Sequence, residues 1–149
     1  MGVTSIRAVT NMSGSAILFW NQERFNLWHQ RFSVDPQQTR TQIERTDNGN
    51  VVEVKDVDVW IPWCTSRDEY QRQRFITIQV DLRQATFCIW QCNDRDGDYI
   101  RFSTDCRYHG VNDGVGGTPA LRVPGASEVD GNRRIEIKAD GTLYLHRYS

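Results

Sequence analysis

Asp56, Asp58 and Trp60 fall at alternate positions in the stretch 51–63, where Val57, Val59, Ile61 and Trp63 fill the other half of the alternation. Side chains of an extended chain point in turn to opposite faces, so the apolar set faces a core and an indole shares the other face with two carboxylates. That composition suits a sugar, because a flat ring meets the C–H side of a pyranose while carboxylates accept its hydroxyls. Trp28 alternates with Asn26, Gln30 and Phe32 over 25–34, which reads as a strand with an amphipathic aromatic belt on one face. Near the C-terminus, Tyr144 and His146 stand opposite Arg134 and Glu136 as a third aromatic and polar patch. Trp60, Asp58, Asp56, Trp28, Tyr144 and His146 are the ligand-binding candidates.

Other groupings lack a part that their chemistry requires. Cys88, Cys92, Cys106 and His109 are four metal-ligating types. Cys88 and Cys92, however, lie about 13 Å apart along a strand, whereas the ligands of one zinc sit within about 4 Å of each other. Asp94, Asp96 and Asp98 alternate as in a calcium loop, yet Gly97 comes fourth rather than sixth and Asp105 stands where a closing Glu belongs, so the run reads as a hairpin turn. Gly110, Gly114, Gly116 and Gly117 are followed by neither a lysine nor a helix, both of which a phosphate cradle needs. Cys106, His109 and Asp113 are the one close set of nucleophile, base and acid, but triads assemble from distant segments, and closeness in sequence is weak support. No catalytic residue, metal or cofactor is expected.

These side chains have to be held by one fold. The 149 residues suffice for one domain, 1–149, and 38% hydrophobic against 25% charged residues excludes a disordered or coiled-coil chain. Eighteen basic and nineteen acidic residues give a net charge of −1, which removes the general attraction that nucleic-acid binders rely on. Sixteen of the basic residues are arginines, but they are scattered along the chain. No apolar run approaches the ~18 residues of a membrane span, and the first twenty residues lack the order of a secretory signal. A soluble protein is expected, cytoplasmic or exported without a classical signal peptide, with its cysteines mainly reduced.

Short alternating runs separated by Gly, Asn and Asp clusters recur about every ten residues, the pattern of an all-β antiparallel sandwich or barrel. Strands are expected at 5–10, 15–21, 25–34, 39–46, 51–63, 74–82, 86–92, 99–105, 121–123, 133–138 and 142–148. A three-residue loop at Ala139, Asp140 and Gly141 pairs Ile135 with Leu145 and Ile137 with Leu143. The same loop type at Arg95, Asp96 and Gly97 pairs Trp90 with Phe102 and leaves Gln91, Arg101 and Ser103 on an outer face. One short helix is expected at 67–73, where Ser66 and Glu69 have capping-box spacing. A β-rich domain with exposed aromatics and acids points to a non-enzymatic, lectin-like module for a glycan. A lipid headgroup, with or without pore formation, or a protein partner is the alternative.

Overall fold

The computed structural model describes residues 3–80, 85–94, 97–104 and 121–149. Two sheets carry the fold. In the first, β1 (Thr4–Asn11) lies at the centre, flanked on one side by β12 (Gly131–Ile137) and then β13 (Leu143–Arg147), and on the other by β4 (Gln38–Arg40) and β7 (Val59–Trp60). In the second, the order is β11 (Leu121–Arg122), β10 (Gly97–Ser103), β9 (Ala85–Asp94), β8 (Ile76–Val80), β2 (Ile17–Asn21) and β3 (Arg31–Val34). A separate hairpin pairs β5 (Gln42–Asp47) with β6 (Asn50–Asp56). Each sheet ends in edge strands, so the architecture is an all-β sandwich and not a barrel. Among the described residues, the pairings of the named strands are antiparallel except for the parallel pair β1–β12.

Alternation builds the core between the sheets. Ile6, Val9, Ile135, Ile137, Leu143 and Leu145 of the first sheet meet Ile17, Phe19, Ile76, Ile78, Ile89 and Ile100 of the second, and all are buried. Ile135 pairs with Leu145 and Ile137 with Leu143, as the turn residues require. Gly141, at φ 85°, supplies the left-handed position, and Lys138 N–H bonds the Thr142 carbonyl at 2.8 Å to close the loop. At the far end of the same sheet, the buried Arg133 guanidinium donates to the carbonyls of Ala126, Glu128 and Asn132, which fixes the turn leading into β12.

The β9–β10 hairpin departs from expectation by one residue. Gly97 stands opposite Asp94, so Trp90 pairs with Arg101 and Phe102 with Ile89. Gln91, Arg101 and Ser103, expected on a wet face, are all buried. The reason is that β9 is covered on both sides, so the rule that one face is apolar and the other wet does not apply to it. Ile89 faces the inter-sheet core, whereas Cys88, Trp90 and Cys92 form a second cluster with Cys64, against which Tyr70 and Phe75 pack. Trp90 is fully buried there, its ring 5.7 Å from that of Tyr70. Cys64, Cys88 and Cys92 carry thiols and no disulfide.

Helix α1 (Arg67–Gln71) supplies Tyr70 and lies over this second face. Ser66 Oγ accepts from Glu69 N–H at 3.1 Å, the expected cap. The reciprocal contact goes one residue further back, to Thr65, whose N–H and hydroxyl both donate to Glu69 Oε1. The expected strand 25–34 keeps only its last four residues, because Gln22–Arg24 and Trp28–Gln30 are 3-10 turns. The run 51–63 divides into β6 and β7.

Trp90→Ala should cost roughly 3–5 kcal/mol, the penalty for emptying a fully buried aromatic site. A denaturant titration showing a loss below about 1 kcal/mol would place Trp90 outside a packed core.

Candidate functional site

Trp60 projects from the edge strand β7, with 58% of its surface exposed. The backbone around it is fixed from both sheets. Ser5 and Ile6 of β1 pair with Trp60 and Val59, and Ile61 N–H bonds the Thr4 carbonyl at 2.9 Å. Gln91 N–H donates to the Pro62 carbonyl and Cys64 N–H to the Gln91 carbonyl, both at 2.8 Å. Val59 and Ile61 are buried in the core, so alternation leaves the intervening indole facing outward.

Beside Trp60 is a cleft of about 220 Å³ lined by Asn21, Glu23, Arg24, Leu27, Gln30 and Asp58. Most of these come from the 22–30 segment, which the turn at Gln22–Arg24 folds back beside β7. Asn21, buried, begins that turn by accepting Glu23 N–H at 3.2 Å. Its amide then donates to Gln30 Oε1 at 3.0 Å, and Gln30 Nε2 reaches the Asp58 carbonyl at 3.3 Å. This chain of amides ties the segment to the strand that bears Trp60. Two carboxylates face the cleft, each held by an arginine: Asp58 by Arg7 at 3.1 Å and Glu23 by Arg74 at 3.8 Å.

Trp60 and Glu23 also border a second cleft, of about 280 Å³, whose other walls are Val3, Ile61, Pro62, Trp63, Arg74 and Gln91. Arg74 is held in place by Glu69, with 2.7 Å between Nη1 and Oε2. Burial alone would raise the pKa of Glu69, but the Thr65 donors and the Arg74 guanidinium together hold it below the ordinary glutamate range. Below this region, burial first and the nearby Glu69 second push the Cys64 thiol up to about 12, so it is no nucleophile.

The candidates read from sequence separate into four places. Trp60 and Asp58 share the first cleft. Asp56 does not join them: it ends β6 and accepts Gln42 Nε2 across the separate hairpin at 3.2 Å. Val57 N–H bonds the Thr41 carbonyl one step beyond the Gln42–Asp56 pair, and exposed Asp56, Asp58 and Trp60 alternate with buried Val57 and Val59, so the alternation holds through Trp60, but Asp56 lies outside the lining of the cleft. Trp28 packs partly buried against the core, with Arg45 and Lys55 of the hairpin 6.0 and 5.9 Å from its ring. It borders another cleft, with Phe25 and Arg31. The rings of Tyr144 and His146 meet tilted at 4.8 Å on the outer face of β13, and His146 Nε2 lies 2.7 Å from Glu136 Oε1. They line neither cleft at Trp60.

Asn21, Glu23 and Arg24 are not among the sequence candidates, although an Asn N-cap is a helix-start signal, and Gln30, expected beside Trp28 in a strand, lies in a 3-10 turn instead. Among the described residues, no three His, Cys, Asp or Glu side chains gather to hold a metal ion. Cys106, His109, Asp113, Asp96 and the glycines from Gly110 to Gly117 lie outside the described residues, so the groupings that included them stay open.

Trp60→Ala should leave stability within about 1 kcal/mol of the parent, since an exposed ring contributes little burial; a melting-point drop beyond about 8 °C would show Trp60 to be a packing residue. The lowered pKa of Glu69 means that its stabilisation is present above the unfolded value, about 4.3, and is lost as pH falls through the lower folded value. Melts of the parent between pH 6 and pH 2 should therefore fall more steeply than those of Glu69→Gln; equal slopes would refute the linkage. Family models, curated proteins and solved structures were all compared with the chain and none matches, so the function has to be argued from these residues.

Proposed function

We propose that the chain is a non-enzymatic carbohydrate-binding module whose pyranose platform is Trp60. The observation that carries this reading is the exposed indole set in a concave site between Glu23 and Asp58. A sugar presents an apolar C–H face and a rim of hydroxyls, and this site offers a ring for the first and carboxylate, amide and guanidinium groups for the second. Because arginines and a chain of amides hold the polar groups in place, little ordering is left for the ligand to impose. Binding rather than hydrolysis is favoured because each carboxylate faces an arginine and water, not the apolar surrounding in which a proton-donating acid works.

One observation favours a lipid headgroup instead: Phe25 and Leu27, in the loop beside the first cleft, are exposed apolar side chains of the kind that insert at an interface. Among the described residues, no helix is long and apolar enough to cross a membrane.

A glycan array run beside sedimentation with phosphatidylcholine and phosphatidylserine vesicles separates the readings. The array should show ligands that Trp60→Ala abolishes, with Asp58→Asn weaker by at most the 1.5–3 kcal/mol of a charged hydrogen bond. Vesicle binding that survives Trp60→Ala and is lost in Phe25→Ser, with an empty array, would replace the sugar by a lipid.

A further inference from the structure

We infer that the ligand is a chain of linked sugars, held in two adjoining subsites that share Trp60 and Glu23 as their common wall; this rests on the carbohydrate reading of Trp60. The two clefts have those two residues in common and otherwise separate walls. Their volumes, about 220 and 280 Å³, each fall below the roughly 300–1,000 Å³ of sites that enclose a whole small ligand. Each suits one ring, and the pair suits a ligand that continues past Trp60.

The linings differ in the way two subsites on one chain would. The first is lined mostly by polar residues, with Glu23, Arg24 and Asp58 to meet hydroxyls and the buried amides of Asn21 and Gln30 bonded to each other behind them. The second has a further indole, that of Trp63, which alternation assigned to the core and which is half-buried at the cleft, with Pro62 and Val3 as apolar floor and Arg74 as its fixed donor. Glu23 stands where the clefts join and can accept hydroxyls from the unit on either side.

The backbone that bears the two tryptophans is held before any ligand arrives. Ile61, Pro62 and Cys64 are bonded through their backbones to Thr4 and Gln91, and the Gln91 side chain also donates to the Ile61 carbonyl. A rigid pair of platforms suits a repeating ligand, because once the first unit is seated the second binds intramolecularly. A module for one terminal sugar would have no use for the second platform.

Calorimetry with the chito-, malto- and xylo-oligosaccharide series, from one to four units, tests the inference on the intact chain. The series that binds should gain roughly tenfold or more in affinity from one unit to three, with little gain beyond, as the second subsite fills. Trp63→Leu should remove most of that gain, and a thermal melt of the variant checks that it folds. Should Trp63→Leu fail to fold, the parent series alone decides. One-unit and four-unit ligands binding within twofold of each other would overturn the inference and leave the sugar reading standing. A length-dependent gain that Trp63→Leu retains in full would also overturn it, by removing the second platform. No binding in any series would overturn both.

Discussion

The side chain of Gln91 lies in the interior of the sandwich, where a polar group without partners would cost about 1–3 kcal/mol. Its amide answers that cost by joining three segments. Thr4 Oγ1 donates to Gln91 Oε1 at 2.7 Å, and Gln91 Nε2 donates to the Ile61 carbonyl. Thr4 Oγ1 in turn accepts the Asp130 N–H at 2.7 Å, just before β12 begins. The first strand of one sheet, the longest strand of the other and the 61–64 segment are therefore registered against each other at one residue. Hydrophobic contact between the two sheets is non-directional and would tolerate sliding, whereas this set of hydrogen bonds would not.

The geometry at Trp60 follows from that registration. With Ile61 held by Thr4 and Gln91, and Val59 in the core, the chain between them has one face left to show, and the indole occupies it. The second support comes from the other sheet. β2 runs directly into the Asn21 turn, and Asn21, Gln30 and the Asp58 carbonyl link that turn to the approach to β7. The site is thus a seam between the sheets, and its polar walls are the hydrogen-bonding groups that close the seam. The same residues serve packing and recognition.

What could be read from the sequence depended on whether a strand has one wet face. β12 and β13 do, with Ile135, Ile137, Leu143 and Leu145 inside and Glu136, Tyr144 and His146 outside, so turn chemistry and alternation agreed on one register. β9 has none. With Ile89 facing one cluster and Trp90 the other, matching apolar partners on one face cannot distinguish neighbouring registers, and the hairpin slipped by a residue. The helix was legible because its cap is local. The hairpin β5–β6 has a local signal too: Asn48 and Gly49, both at positive φ, form its turn between the strands expected at 39–46 and 51–63.

Part of the site was legible for a related reason. Asp58 and Trp60 lie two residues apart on the same extended segment, so period-two alternation was enough to place them together. Asn21, Glu23, Arg24 and Gln30 come to the same cleft through a turn and two side-chain amide bonds, and no periodicity encodes such a path. Tyr144 and His146 show the converse. Alternation placed them correctly on an outer face, yet there Glu136 already takes the His146 ring nitrogen and Lys138 lies 5.3 Å from the Tyr144 ring, so their polar and aromatic groups are engaged with neighbours on the same sheet. Exposure of an aromatic is therefore not enough to make a site. At Trp60 the neighbouring carboxylates are instead paired with arginines, Arg7 on Asp58 and Arg74 on Glu23, and more than half of the Trp60 surface stays open to a ligand while these acceptors are fixed.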